Sequence, residues 1–443
     1  PGSIPVDAIV EDNYGNFNEL QSFFARANYN LMDKYLFTAT IRADGSTRFG
    51  GDNKYGVFPS AAFAWRISDE DFASDAFDNL KLRLGYGVTG NQEIPHNLHT
   101  RRDSFDDIDI NSNDGSIVQP GTSPVAFENP GLRWEQTSQY NAGLDFGFLN
   151  NRLTGSVDYY YKNTEDLLIQ IFSPQPAATD FFWTNLDANV INQGFELMMD
   201  YVAIDNEDLT WNVGFNVSRN DNKVRNLGAF FFNTGNVYGP GLSGAFAQQI
   251  ANNQPLFAYY MPIADGFDEE GINNVVSDGD VLTGQFPIPV WNFGINTTFT
   301  YKNFDAALYL NGQGGHHIYN NTANAFFNAG SLGSGRNVTS NVLESGEDPA
   351  NTPIVSTNYL EKANFLRVQN LSIGYNFGLE ENSFIKSMRI SANAQNLFVF
   401  TNYSGIDPEV SNTAARNGIP SFGIDYTPFP RPRTLTLGLN VTF

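Results

Sequence analysis

The chain ends on Thr434-Leu435-Thr436-Leu437-Gly438-Leu439-Asn440-Val441-Thr442-Phe443, in which apolar and polar side chains alternate without a break. Successive side chains of a strand point to opposite faces. Leu435, Leu437, Leu439, Val441 and Phe443 therefore share one face. Thr434, Thr436, Gly438, Asn440 and Thr442 share the other. The first face wants hydrocarbon and the second tolerates water. Two folds accept such a strand. One is a half-buried strand of a soluble sheet. The other is the closing strand of an outer-membrane barrel, apolar outside and polar inside.

The same alternation recurs along the chain. Trp291, Phe293, Ile295, Thr297, Phe299 and Tyr301 fall on one face, and Asn292, Gly294, Asn296, Thr298 and Thr300 on the other. Leu80 to Val88, Tyr140 to Phe148 and Leu209 to Val217 repeat it. Each run has the length of a tilted membrane strand, about 9–11 residues. Strands are expected near 20–31, 34–45, 56–67, 79–90, 133–148, 151–162, 190–203, 208–220, 290–301, 304–314, 358–378, 386–401 and 431–443. Connections then alternate between short and long. Outer-membrane barrels have short periplasmic turns and long extracellular loops. That parity puts Phe443 at the periplasmic rim and gives it the role of barrel-assembly signal.

Composition narrows the class. The hydrophobic share is 41%, and no apolar run reaches the roughly 18 residues of a spanning helix. Membrane residence must therefore come from strands. Phe contributes 38 residues, an excess that aromatic girdles at the two membrane interfaces would use. The net charge of −23 excludes nucleic acid as a partner, since phosphates need Lys and Arg. There is no cysteine, hence no disulfide framework and no Cys metal site. The strand count is about thirteen, an odd number, whereas bacterial single-chain barrels are even. The expectation is the C-terminal portion of one larger antiparallel barrel across residues 1–443. The sequence opens at Pro1 without the signal peptide that such a protein needs.

Several stretches carry a family resemblance. Tyr35 through Gly50, Phe58-Pro59-Ser60, Leu80 through Gln92, Leu132-Arg133-Trp134-Glu135-Gln136 and Asn192-Gln193-Gly194-Phe195-Glu196-Leu197 are among them. The most specific is Asn396-Leu397-Phe398-Val399-Phe400-Thr401-Asn402-Tyr403-Ser404-Gly405-Ile406-Asp407-Pro408-Glu409-Val410. In order and spacing these resemble the barrel of SusC/RagA-like TonB-dependent transporters. The resemblance implies a barrel of about 22 strands with a plugged lumen. It also implies bacterial outer-membrane location, a TonB-contact segment and a SusD-like surface lipoprotein as lid. The plug, the TonB contact and the first strands are not in these residues. The implied function is import of a large nutrient, an oligosaccharide or a peptide. A second reading, of another class, is a structural subunit that scaffolds a larger outer-membrane assembly.

No catalytic constellation is present, so an enzyme is not expected. Aromatic pairs in long loops are the candidate ligand contacts: Phe182 and Trp183, Phe231, and Tyr259. Flat rings stack on sugars or grip apolar side chains, although they also anchor loop cores and interfaces. Asp107, Asp109 and Asn111 place oxygens at alternate positions, as a calcium loop does, without its Gly spacing or its closing Glu. Apart from such a calcium ion no cofactor is expected. His316 and His317 follow two glycines and read as loop residues rather than ligands.

Overall fold

The computed structural model describes residues 18–73, 77–100, 127–173, 176–177, 179–379, 384–409 and 419–443, with backbone alone at 102–112 and 115–126. Thirteen strands form one antiparallel sheet in sequence order. They are β1 Leu20–Leu31, β2 Tyr35–Ser46, β3 Tyr55–Arg66, β4 Asn79–Asn91, β5 Glu135–Phe148, β6 Leu153–Glu165, β7 Asn189–Asp205, β8 Leu209–Arg225, β9 Trp291–Tyr301, β10 Phe304–Gly314, β11 Phe365–Phe377, β12 Ser387–Thr401 and β13 Thr434–Thr442. Each of the thirteen expected strands has a counterpart in this sheet. Among the described residues β1 pairs only with β2, and β13 only with β12.

The register sorts the side chains as the alternation requires. Tyr35, Trp65, Leu82, Leu144, Val157, Leu197, Val217 and Phe293 lie opposite one another from β2 to β9, in one apolar row. The neighbouring row on the other face reads Arg83, Gly143, Asp158, Glu196, Ser218, Asn292 and Gln313. One face is therefore hydrocarbon and the other is charged or hydrogen-bonding. The apolar face is not covered: Leu437 is 85% exposed and Leu435 75%. A soluble protein would bury such a face, whereas a bilayer supplies its solvent.

Short connections join one end of the sheet. Met32 and Asp33 both take positive φ, 56° and 57°, the two-residue turn that matches strand twist. Rings gather at this rim. Tyr35 stacks on Trp65 at 6.2 Å, Phe77 meets Phe148 at 5.2 Å, and Phe384 meets Phe443 at 5.4 Å. Such a belt marks a membrane interface.

Long connections leave the other end and carry their own structure. β7 and β8 rise above their neighbours as a tall hairpin of 17 residues each. The expected strand 358–378 is divided. Leu360–Lys362 pairs with His317–Asn320 in a loop sheet, and β11 starts only at Phe365. The break falls at Asn364, whose Oδ1 accepts from Gly315 N at 2.9 Å. Alternation alone does not reveal such a break, because both pieces keep the same period. The segment near 255–264 lies in the loop region, in short strands outside the large sheet.

Candidate functional site

The polar face of the sheet and the loops above its long-loop end form the candidate site. On that face, charges meet across glycines. Arg83, Gly143 and Asp158 sit side by side on β4, β5 and β6. Arg83 Nη2 reaches Asp158 Oδ1 at 2.9 Å and Asp145 Oδ1 at 2.7 Å. A Cβ on Gly143 would stand 2.2 Å from Asp158 Oδ1 and 2.8 Å from Arg83 Nη2. The strand glycine is thus the gap through which two side chains join. Arg389 crosses Gly374 in the same way to Asp305, with Nη2 to Oδ2 at 2.7 Å. Gly143→Ala is expected to split the Arg83–Asp158 pair and lower stability by about 1–3 kcal/mol. Chemical denaturation of the refolded protein would show it, and an unchanged midpoint would contradict the assignment.

At the long-loop end the side chains form three larger clusters. Phe49, Phe58, Ile94, Leu98, Leu132 and Trp134 close the tops of the early strands, and Trp183 packs against them. Leu186, Ala188, Val224 and Leu227 form the second, around the stems of the tall hairpin. Val237, Leu242, Ala247, Tyr259, Met261, Tyr319, Ala325 and Ile424 form the third, the core of a loop body. That body draws on the connections 226–290, 315–364 and 402–433. Tyr319 and Asn320 pair in parallel with Ile424 and Asp425.

The four aromatic candidates are not brought together. Trp183 lies on the loop strand Phe181–Leu186, half-buried, with its carbonyl accepting from Asn129 Nδ2 at 3.0 Å. Phe182, next to it, is also half-buried. Phe231 is 60% exposed. Tyr259 requires correction as a ligand contact, since it has no exposed surface. Its hydroxyl donates to the carbonyls of Gly423 at 2.6 Å and His317 at 3.0 Å, so it ties two loops together. Asp107, Asp109 and Asn111 alternate along one strand of the hairpin Arg102–Ser112/Gly115–Ala126. This backbone is an extended ladder rather than a wrapped ion loop, and the side chains lie outside the described residues.

Sequence reasoning passed over a buried charge cluster. Arg367 on β11 has no exposed surface. Its Nη2 meets Asp407 Oδ1 at 2.6 Å, Nη1 meets Asn396 Oδ1, and Nε lies 2.7 Å from Glu409 Oε2. Arg431 adds a contact to Glu409 at 3.0 Å. Both stems of the last loop, at 407–409 and at 431, are thereby fixed to β11 and β12. Asn396 takes a positive φ of 52° to face this cluster, and a bulge in the pairing of β11 with β12 falls beside it. The available signal was the Asp407-Pro408-Glu409 a few residues after an aromatic strand.

His316 is buried beside the loop sheet, and its Nδ1 has no partner. Burial, with the adjacent His317, pulls its pKa from 6.5 down to about 4. The native state then resists a proton that the unfolded chain accepts. This part of the stability is complete above pH 6.5 and is lost between 6.5 and about 4, up to about 3 kcal/mol. Hydrogen-exchange protection factors at 316–320, taken relative to the intrinsic rate at each pH, are expected to fall from pH 7.5 to 5, and His316→Gln should flatten that slope. An identical slope in the variant would assign it elsewhere.

A family model described as "TonB dependent receptor-like, beta-barrel" matches residues 2–397. The chain belongs to this family. It is 32% identical over 478 residues to "TonB-dependent receptor SusC" of Bacteroides thetaiotaomicron, covering 99% of this chain and 45% of that one. It is 30% identical to "TonB-dependent receptor P26" of Formosa agariphila, covering 100% of this chain and 48% of the relative. The chain thus spans about half the length of these relatives. Among solved structures it resembles the RagAB peptide transporter, with a TM-score of 0.76 at 24% identity over 96% of this chain and 48% of that one. The large sheet is therefore part of the wall of an outer-membrane β-barrel. Its apolar face meets lipid, its polar face meets the lumen, its short turns are periplasmic and its loops extracellular.

Proposed function

We propose that the intact protein imports a large nutrient, an oligosaccharide or a peptide, across the outer membrane, driven through TonB. The observation that carries this reading is the two-faced sheet. A lipid-facing apolar side backs a lumen side of Asn, Ser, Asp and paired Arg. Loops with their own cores stand above it. Similarity to SusC and to the RagAB peptide transporter supports the same reading. A SusD-like lipoprotein is the proposed partner over these loops, where Phe230 and Phe231 stand 56% and 60% exposed. Aromatic rings anchor such contacts. Trp183 and Phe182 are the proposed ligand contacts from the 166–188 loop, and Phe443 is the proposed assembly signal.

The test is uptake of labelled nutrient by cells carrying the full-length protein, with and without TonB. Uptake that vanishes without TonB is expected. Uptake independent of TonB, with the protein still assembled beside its lipoprotein, would instead favour the scaffold reading. Trp183→Ala is expected to weaken nutrient capture roughly tenfold while barrel assembly stays intact. Unchanged binding by titration calorimetry would remove Trp183 from the site.

A further inference from the structure

The loop body encloses a cavity of about 580 Å³ walled by all three of its loops. Glu347, Glu361 and Asp425 line it, together with Phe267, Phe327 and Tyr359. No Lys, Arg or His lines it. Each carboxylate is held by neutral donors. Asp425, 1% exposed, accepts from Thr322 N at 2.9 Å, Thr322 Oγ1 at 2.7 Å and the Tyr403 hydroxyl. Glu361 accepts from Ser404 N and Ser404 Oγ at 2.7 Å each and from Asn320 Nδ2 at 2.9 Å. Glu347 accepts from Ala329 N at 2.9 Å and Asn351 Nδ2 at 2.8 Å.

Several other sheltered acids are ion-paired instead. Asp407 and Glu409 are matched by Arg367 and Arg431, Asp145 and Asp158 by Arg83, and Asp305 by Arg389. Asp425 is buried and Glu347 and Glu361 are half-buried, and a sheltered charge without its opposite is costly. In this cavity, among the described residues, the opposite charge is missing and there is space for it. A bare metal ion does not suit the space, because no group of three such ligands converges among the described residues. The aromatic walls suit an organic cation, which is drawn to ring faces as well as to carboxylates.

We infer that this cavity binds an ammonium or guanidinium group, so that the cargo it favours is a peptide carrying Lys or Arg. The inference rests on the import reading for its setting, but its test needs no transport. A neutral glycan would leave the carboxylates uncompensated and is the competing outcome.

The experiment is equilibrium titration of the purified full-length protein with the pentapeptide Gly-Lys-Gly-Lys-Gly. Its norleucine counterpart and maltopentaose serve as neutral probes. The lysine peptide should bind at least about tenfold tighter than either, with affinity falling as salt rises. Glu347→Gln combined with Glu361→Gln removes both charges while keeping one acceptor oxygen at each position, and should abolish that preference. Phe327→Leu, which leaves the charges alone, should reduce binding several-fold and guards against a folding artefact in the double variant. Equal binding of lysine and norleucine peptides, tighter binding of maltopentaose, or a preference that survives the double variant would each overturn the inference. Loss of uptake with this binding intact would count against import only.

Discussion

Leu437→Arg is expected to keep the protein out of the outer membrane or destabilise it there by about 2–4 kcal/mol. Leu437 is 85% exposed in the folded chain. In water an arginine at such a position would be nearly neutral, since exposed substitutions usually change stability by less than about 0.5 kcal/mol. In lipid the same exposure makes it severe. Thr436→Arg, one residue away, points into the lumen and should be tolerated. Outer-membrane levels and urea midpoints of the two variants, measured side by side, decide the matter. Equal tolerance would mean that the apolar face does not meet hydrocarbon.

Arg367→Met should release the last extracellular loop, at a cost of about 3–5 kcal/mol to its closed state. The variant leaves Asp407 and Glu409 in a sheltered site with only Arg431 at the rim. Hydrogen exchange should rise at 402–409, at 424–425 and at 319–320, because Asp425 pairs with Asn320. Amides within β1 to β8 should not change. Arg367→Lys should rescue little, since one ammonium cannot serve Asp407, Asn396 and Glu409 in their three directions. Native protection in both variants would show that the loop is held by its own core.

The sheet was legible in the sequence because strand alternation is local. Each strand advertises its two faces within ten residues, and the Asn150-Asn151 and Lys302-Asn303 turns punctuate it. The loop body was not legible in the same way. Its central pairing sets Tyr319 beside Ile424, two residues far apart in the chain with no shared pattern. Tyr259 shows the cost of that blindness. An aromatic in a polar loop looks alike whether it greets a ligand or holds two backbone carbonyls. Glu347, Glu361 and Asp425 were invisible as a group for the same reason, since only the folded loops collect them.

The glycine gaps on the lumen wall have a mechanical result. Because Arg83 and Arg389 lie flat over Gly143 and Gly374, their long side chains hug the sheet instead of jutting from it. The bore keeps its hydrogen-bonding character while staying low in relief and quiet in charge. On the import proposed above, a solute would pass Arg83 and Arg389 without meeting either as a post.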